Sequence, residues 1–528
     1  MRSVLAKDAP ASGTNRTRVA SLLGVLARAG AMGRGQPEGH VERTCYLGMR
    51  IADVLKLPAE QRADVFFATL LVHAGCTAGN TELAAFLAAD ELAAQRELCL
   101  CDPRNMVECL AWMRRNVAPT ASLPVRAQRV LQMMFQGERM IAEVEGGCSD
   151  VAARIAARLG MPATTSTALR SVCETWNGKG PARLRRSAIP LPARIAHVAM
   201  VVEVFVRERG RDQALEAIAR RAGKSLDPEI VQALTVAGRD EALWEALADP
   251  TLLHRILDEE PGTPRFIDDA GLDEVCLAFA DFVDLKGPGK GAHARSTAAL
   301  AERAARVLGL PEAEVTLVRR AALVHDLGQL GVPSFVLAKA TPGPAERAQI
   351  ALHPMLTERL LSSVPALRDT AAIAAAHEER LDGSGYPSGA SGNDIPRAAR
   401  ILAVADEYDE AIRGGRGQPP LSSEAALKAL EAGAGIRFDR ECVRALSRAL
   451  GEQPAPPVRT SWPAGLSERE GQVLQLAARG LTLKEIARAL GLSVHTARHH
   501  LEHVYEKTGV STRAGAALFA AEHGLLTG

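Results

Sequence analysis

Rings are scarce in this chain: Phe, Trp and Tyr make up 4% of 528 residues, although apolar residues reach 47%. Alanine and leucine make up the difference, with arginine prominent among the charges. That is a helix-rich composition with ample core material, enough at this length for two to four domains. Net charge is also lacking, since 63 Lys and Arg against 62 Asp and Glu leave +1. A chain-wide attraction to nucleic acid or to an anionic membrane is thereby excluded, and any such surface must be local. No apolar run is long enough to span a bilayer; the longest, 195–206, is broken by His197 and Glu203. Asp8 falls where a signal peptide would carry its apolar core, so no export signal is expected. The nine cysteines have no framework spacing, which suits a reducing cytosol and predicts a cytoplasmic protein. Period-two alternation is absent, so the expected fold class is all-α.

Five blocks follow from the pattern. Residues 1–16 read as a polar tail. Helical periodicity fills 17–257, with helices expected over 127–143 and 151–159 among others. Asp258-Glu-Glu-Pro-Gly-Thr-Pro264 breaks the pattern, and a second helical block covers 265–450. Residues 451–464 hold Gly451-Glu-Gln-Pro-Ala-Pro-Pro457, an extended linker that proline keeps out of helix. A compact block of 465–528 closes the chain.

The two large blocks resemble each other. His40 and His73 stand 33 residues apart, and His293 and His325 stand 32 apart. Glu174-Thr-Trp-Asn-Gly-Lys-Gly-Pro181 mirrors Glu379-Arg-Leu-Asp-Gly-Ser-Gly-Tyr-Pro387, and the segment after Pro192 mirrors the one after Arg397. Matched segments in one order imply an internal duplication, with an insertion over 77–146 in the first copy.

In the second copy, Ala321-Ala-Leu-Val-His325-Asp326-Leu-Gly328 reads as the end of a buried helix, with Gly328 as its stop. A buried carboxylate there needs a partner. His293, His353-Pro354, His377 and Asp406 recur on successive predicted helices around it. Imidazole nitrogens and carboxylate oxygens without thiolate suit Mn, Fe, Ni or Mg-like ions better than structural zinc.

This ordered set, with Asp382-Gly-Ser-Gly-Tyr-Pro387 inside it, resembles the HD-GYP branch of the HD phosphohydrolases. The resemblance implies a helical bundle, a two- or three-metal site, here expected to hold two ions, Mn or Fe, and hydrolysis of a cyclic dinucleotide or another phosphoester. It carries His293, His325, Asp326, His353, His377 and Asp406 over as metal ligands, and Asp326 as the catalytic residue that orients the attacking water. Substrate contacts fall on Gln329, Arg380, Asp382, Gly383, Gly385, Tyr386 and Pro387. Two residues depart from the family pattern. Gln329 replaces a lysine, and His377-Glu378 replaces paired histidines. Glu378 is either a harder metal ligand or a charge that repels an anionic substrate.

In the first copy the same positions have decayed. Ala74 follows His73, Cys148 aligns with His353, Val172 with His377 and Met200 with Asp406. That copy is expected to be catalytically dead and to serve in packing or dimerisation. The alternative is a soft-metal or oxidant sensor built from His40, His73, Cys76, Cys148 and Cys173.

The last block opens with Ser467 and Glu470 as a capping box, and Gly480, Gly491 and Gly509 punctuate four short helices. Helix, tight turn and longer polar helix make a helix-turn-helix pattern. From 465 to 526 it resembles the LuxR-type DNA-binding domain. The resemblance puts Arg498, His499 and Glu502 towards the major groove, and Lys484, Thr496 and Arg513 on the phosphate backbone. With seven Lys and Arg against six Asp and Glu in 463–528, the block is only weakly basic. Four histidines on or beside the third helix predict tighter DNA binding from pH 8 to pH 6. The whole reads as tandem HD-type bundles followed by a four-helix DNA-binding domain. It is expected to bind DNA as a homodimer, with no membrane partner. It is either a phosphodiesterase-regulator or a non-catalytic sensor of metal or nucleotide.

Overall fold

A computed structural model describes residues 16–101, 106–286, 292–414, 419–451 and 462–526. Among them the fold is helical. The one sheet is a two-residue antiparallel ribbon, Thr17–Arg18 against Phe266–Ile267. Contacts divide the chain into two compact units, Met1–Leu272 and Asp273–Gly528. No helix among the described residues is long and apolar enough to cross a membrane.

The second unit carries the helices of the six expected ligands. His293–Val307 buries Ala294, Thr297, Ala298, Ala301, Ala304 and Ala305, an i, i+3, i+4 stripe of small side chains. Small residues let backbones approach, and this helix packs against Glu312–Val324, Arg397–Arg413 and Arg440–Gly451. Glu312–Val324 stops at His325, and a short 3-10 turn, Leu327–Gly331, follows. Gly328 is not the left-handed stop that the sequence suggested. A Cβ there would lie 1.9 Å from the His353 carbonyl oxygen, so glycine is required for close approach of the helix His353–Leu361.

The first unit repeats these details. A Cβ on Gly75 would lie 1.9 Å from the Cys148 carbonyl oxygen, as at Gly328. Arg194 donates from Nε to the Ile189 carbonyl and from Nη1 to Asp227; Arg400 does the same with Ile395 and Asp439. The bridge Ala222–Leu226 has its counterpart in Ala434–Phe438. Counting back from the paired glycines sets His73 against Asp326 and Val72 against His325, one place from the register that the histidine spacing gave. The helices expected over 127–143 and 151–159 form one, Leu123–Arg158. Gly146 and Gly147 do not break it, because each costs only about 1 kcal/mol against alanine, little against the burial of Val144, Cys148, Val151 and Ile155 on the same helix. Within 77–146, Leu83, Leu87, Trp112, Met133 and Val144 form a separate apolar cluster.

The last four helices are Glu468–Ala478, Leu483–Leu490, Val494–Thr508 and Arg513–Glu522. Both capping boxes, Ser467 with Glu470 and Thr482 with Glu485, are formed. Gly491 and Gly509 take the left-handed conformation that ends a helix. Leu466, Leu474, Val504, Phe519 and Leu525 make one apolar cluster, and Ala292, the residue before His293, is buried within it.

Candidate metal centre and DNA-facing helix

Four helix termini and one helix interior converge on a point. His293 begins its helix, His325 and Asp326 follow the end of Glu312–Val324, and His353 begins His353–Leu361. His377 lies just past Arg368–Ala375, and Asp406 projects from within Arg397–Arg413. All six side chains are buried. Three overlapping groups have donor atoms within 4.8 Å of one another: His293–His325–Asp326, His325–His377–Asp406 and Asp326–His353–His377. All six expected ligands are therefore brought together, and Asp326 belongs to two of the three groups.

The imidazoles are oriented from behind. His325, His353 and His377 each hydrogen-bond through Nδ1 to the backbone carbonyl three residues earlier, at 2.8, 2.7 and 2.7 Å. That fixes Nδ1 as the donor and turns the Nε2 lone pair inward. His293 is held instead by Asp409, with Nδ1 to Oδ2 at 2.7 Å. Sequence reasoning missed Asp409, although it lies three residues after Asp406 on the same helix face. Thr357 was also missed. Its Oγ1 donates to the His325 carbonyl at 2.9 Å and accepts from the Gly328 amide at 2.8 Å.

The donor set fits a hard cation. His325 Nε2 and Asp406 Oδ1 approach to 3.2 Å, yet neither buried atom has a hydrogen-bond partner. Both instead point at shared space, with His293 Nε2 at 3.1 Å from the same oxygen. Burial pushes His325 towards neutrality, but Asp326 and Asp406 outweigh it and raise its pKa to about 9. Burial, then His325 and His353, bring His377 down to about 4. A proton on His325 thus supplies part of the positive charge that the carboxylates call for and that a divalent cation supplies more fully.

A cleft of about 570 Å³ opens beside Asp406 and is lined by Arg380, Gly385, Tyr386, Arg437, Glu378 and Glu407 among others. Arg380 is fixed by the His377 carbonyl at 3.0 Å and Glu378 at 2.9 Å, with its guanidinium over the Phe438 ring. Glu378 is clamped on its other oxygen by the Tyr386 hydroxyl at 2.7 Å. Of the expected substrate contacts, Arg380, Gly385 and Tyr386 line this cleft. Gln329 instead donates from Nε2 to Asp326 Oδ1 at 2.6 Å. Asp382 and Pro387 are exposed on the loop, where Asp382 accepts from Ser384, and Gly383 supplies a positive φ.

In the first unit His40 meets His73 at 2.9 Å between Nε2 atoms, and His73 Nδ1 lies 3.4 Å from Cys76 Sγ. Glu203 takes Asp409's place behind His40 and also accepts from Arg43 at 2.7 Å. Burial brings His40 down to about 4. Among the described residues, every group suited to a metal lies in the second unit.

On Val494–Thr508, Arg498, His499 and Glu502 are exposed on one face, and Lys484 is exposed on the preceding helix. Thr496 sits at the Ser493 cap, half-buried. Arg513, expected on phosphate, is also engaged within the domain. Its Nε donates to the Ala477 carbonyl at 3.0 Å and its Nη2 to Leu481, so the fork satisfies helix-end carbonyls inside the domain.

The family model described as HD domain matches residues 278–442, and the model for bacterial regulatory proteins of the luxR family matches 464–520. The 3'3'-cGAMP-specific phosphodiesterase 3 of Vibrio cholerae serotype O1 is 30% identical over 447 residues, 83% of this chain and 96% of that protein. The cyclic di-GMP phosphodiesterase response regulator RpfG of Xanthomonas campestris pv. campestris is 36% identical over 180 residues, 33% of this chain and 47% of that protein. A crystal structure of a cyclic GMP-AMP specific phosphodiesterase of V. cholerae aligns with a TM-score of 0.58 at 26% identity, over 83% of this chain and 99% of that one.

Proposed function

The chain belongs to the HD-domain family of cyclic dinucleotide phosphodiesterases and carries a LuxR-type DNA-binding domain, and we propose that it is a DNA-binding regulator that hydrolyses a cyclic dinucleotide at a two-metal site. The observation that supports this most is the sharing of Asp326 between two donor groups beside a cleft that holds two guanidinium groups. His293, His325, Asp326, His353, His377 and Asp406 would hold two divalent cations, Mn or Fe by their donor chemistry. Such a pair supplies a hydroxide near neutral pH and polarises phosphate oxygens.

The chain's own groups do the rest. Asp326, held by Gln329, orients the attacking water against phosphorus. Arg380 and Arg437 draw the two phosphates of the substrate into the cleft. Gly385 lets the loop pass close to the Glu378 carbonyl, which sets Tyr386 at the cleft wall. The bond broken is a P–O bond to a ribose oxygen, and water gives its hydroxyl to phosphorus and its proton to the leaving oxygen. The relatives point to 3'3'-cGAMP or cyclic di-GMP as substrate. Arg498, His499 and Glu502 read bases, with Lys484 and Thr496 on phosphate, in a homodimer in the cytoplasm.

A second reading is favoured by the cleft's own charge. Glu378, Glu407 and Glu410 line it against Arg380 and Arg437, which disfavours an anionic substrate. On that reading the site senses metal without turnover. Metal content and hydrolysis of both dinucleotides, measured on one sample with Asp326→Ala as control, separate the two. Bound metal with Asp326-dependent hydrolysis supports the enzyme. Bound metal without hydrolysis supports the sensor, and a chain that binds no metal sinks both.

A further inference from the structure

The insertion in the first repeat presents apolar side chains to solvent in a way that nothing in the catalytic or DNA-binding reading uses. On Leu123–Arg158, Met133, Gly137 and Val144 turn inward to the local apolar cluster. Leu123, Leu131, Met134 and Phe135 turn outward, with Leu123 80% and Phe135 81% exposed. Met106 and Leu110 on the adjoining Met106–Asn116 extend the same exposure. The spacing of 131, 134 and 135 is the i, i+3, i+4 pattern of a helix face made for burial. A helix apolar on both sides has a second partner, and an exposed apolar surface of this extent marks an interaction site.

We propose that this outward face, the first half of Leu123–Arg158 with Met106–Asn116, is where a second copy of the chain docks. Three observations select that occupant. The exposed residues between Leu123 and Gln136 are Leu, Pro, Val, Ala, Gln, Met and Phe, and the two charges of that stretch, Arg126 and Arg129, are half-buried, so the outward stripe is complementary to itself. At its edge Arg139 pairs with Glu143 at 2.8 Å and Arg115 with Glu97 at 2.9 Å, and the exposed Arg114 on the adjoining helix is one cation against the several that an anionic lipid surface asks for. The area is also sufficient: the outward apolar side chains expose on the order of 800 Å², about what one partner contributes to a standard-size interface. A 36-residue helix is about 54 Å long, so two can lie antiparallel across a two-fold axis, each meeting the other's stripe. The inference rests on the proposed function only for the expectation that two copies act together.

Sedimentation equilibrium on the full chain at micromolar concentration tests it. Wild type is expected at twice the chain mass, and Leu131→Glu/Phe135→Glu is expected to weaken self-association at least about tenfold with metal content unchanged. Leu123→Glu, nearer the end of the stripe, is expected to act in the same direction. Hydrogen exchange of wild type should show residues 123–136 protected on raising concentration. A dimer unmoved by these substitutions overturns the face while leaving a dimeric regulator intact. A monomer at every concentration overturns the docking proposal. Stripe-dependent binding to phosphatidylserine vesicles by a monomeric chain overturns it in favour of lipid.

Discussion

Gln329 reaches the centre through Asp326. Its amide donates to Asp326 Oδ1 at 2.6 Å and restrains that carboxylate. Gln329→Leu keeps the volume and removes the donor, so metal affinity is expected to fall about 10–100-fold with the fold retained, as titration against a competing chelator would read. An unchanged affinity would show that the ligands orient Asp326 without help. A second residue-scale case lies at the capping box. Burial opposes ionisation of Glu470, but Lys507 Nζ at 2.7 Å and the Ser467 cap outweigh it and bring the carboxyl down to about 2. A carboxyl depressed on folding contributes stability that is full above its unfolded value near ~4.3 and is lost as pH falls towards 2. Glu470→Gln is expected to cost about 1–2 kcal/mol at neutral pH, read by native-state hydrogen exchange of Glu468–Ala478, and to flatten that acid loss. The six side chains that cluster here were legible in the sequence, because His and Asp are conspicuous on alanine-rich helices. Their supports were not. The carbonyls of Ala322, Ile350 and Ala374 have no side-chain signature, and Asp409 gains meaning only once His293 is seen to face it.

At the scale of elements, the two glycines that follow the histidine segments show what periodicity cannot convey. Gly328 reads as a helix stop, yet its place is set by a carbonyl from a helix 25 residues away in sequence. Gly328→Ala must push His353–Leu361 outward and take His353 with it. The expected result is a loss of about 3 kcal/mol or more together with weakened metal binding, because backbone atoms cannot yield as a flexible side chain would. Gly75→Ala meets the same obstacle in the first repeat. It should lower the melting temperature and leave metal stoichiometry unchanged, since the donor groups lie in the other unit. Loss of metal from Gly75→Ala would show that the first repeat supports the site. The helix positions, the duplication and the C-terminal capping were all readable from periodicity and cap residues. The fusion of two expected helices into Leu123–Arg158 was not, because the cost of the paired glycines is outweighed by burial of the residues around them, which local propensity does not see.

At the scale of the molecule, the centre and the DNA-binding domain share one compact unit, and one residue belongs to both surroundings. Ala292 precedes His293, is buried among Leu466, Phe519 and Leu525, and offers its carbonyl to Arg413 at 3.3 Å. Arg413 in turn pairs with Asp409, the carboxylate behind His293. A continuous set of contacts therefore runs from a proposed ligand to the apolar cluster of the DNA-binding domain. A path alone is not coupling, which needs two states that both sites bias. The expected outcome is that chelation of the metal changes affinity for a selected operator by roughly tenfold, within the usual range of coupling between sites. Salt must be held constant, because phosphate contacts make affinity depend steeply on it. Ala292 has a φ of +62, which glycine adopts at no cost, so Ala292→Gly removes the buried methyl without straining the turn. The substitution should leave metal binding and metal-free operator affinity near wild type while reducing the chelator effect. An equal chelator effect in both proteins would rule out Ala292 as the link. No effect in either would mean that the two activities share a chain without sharing a switch.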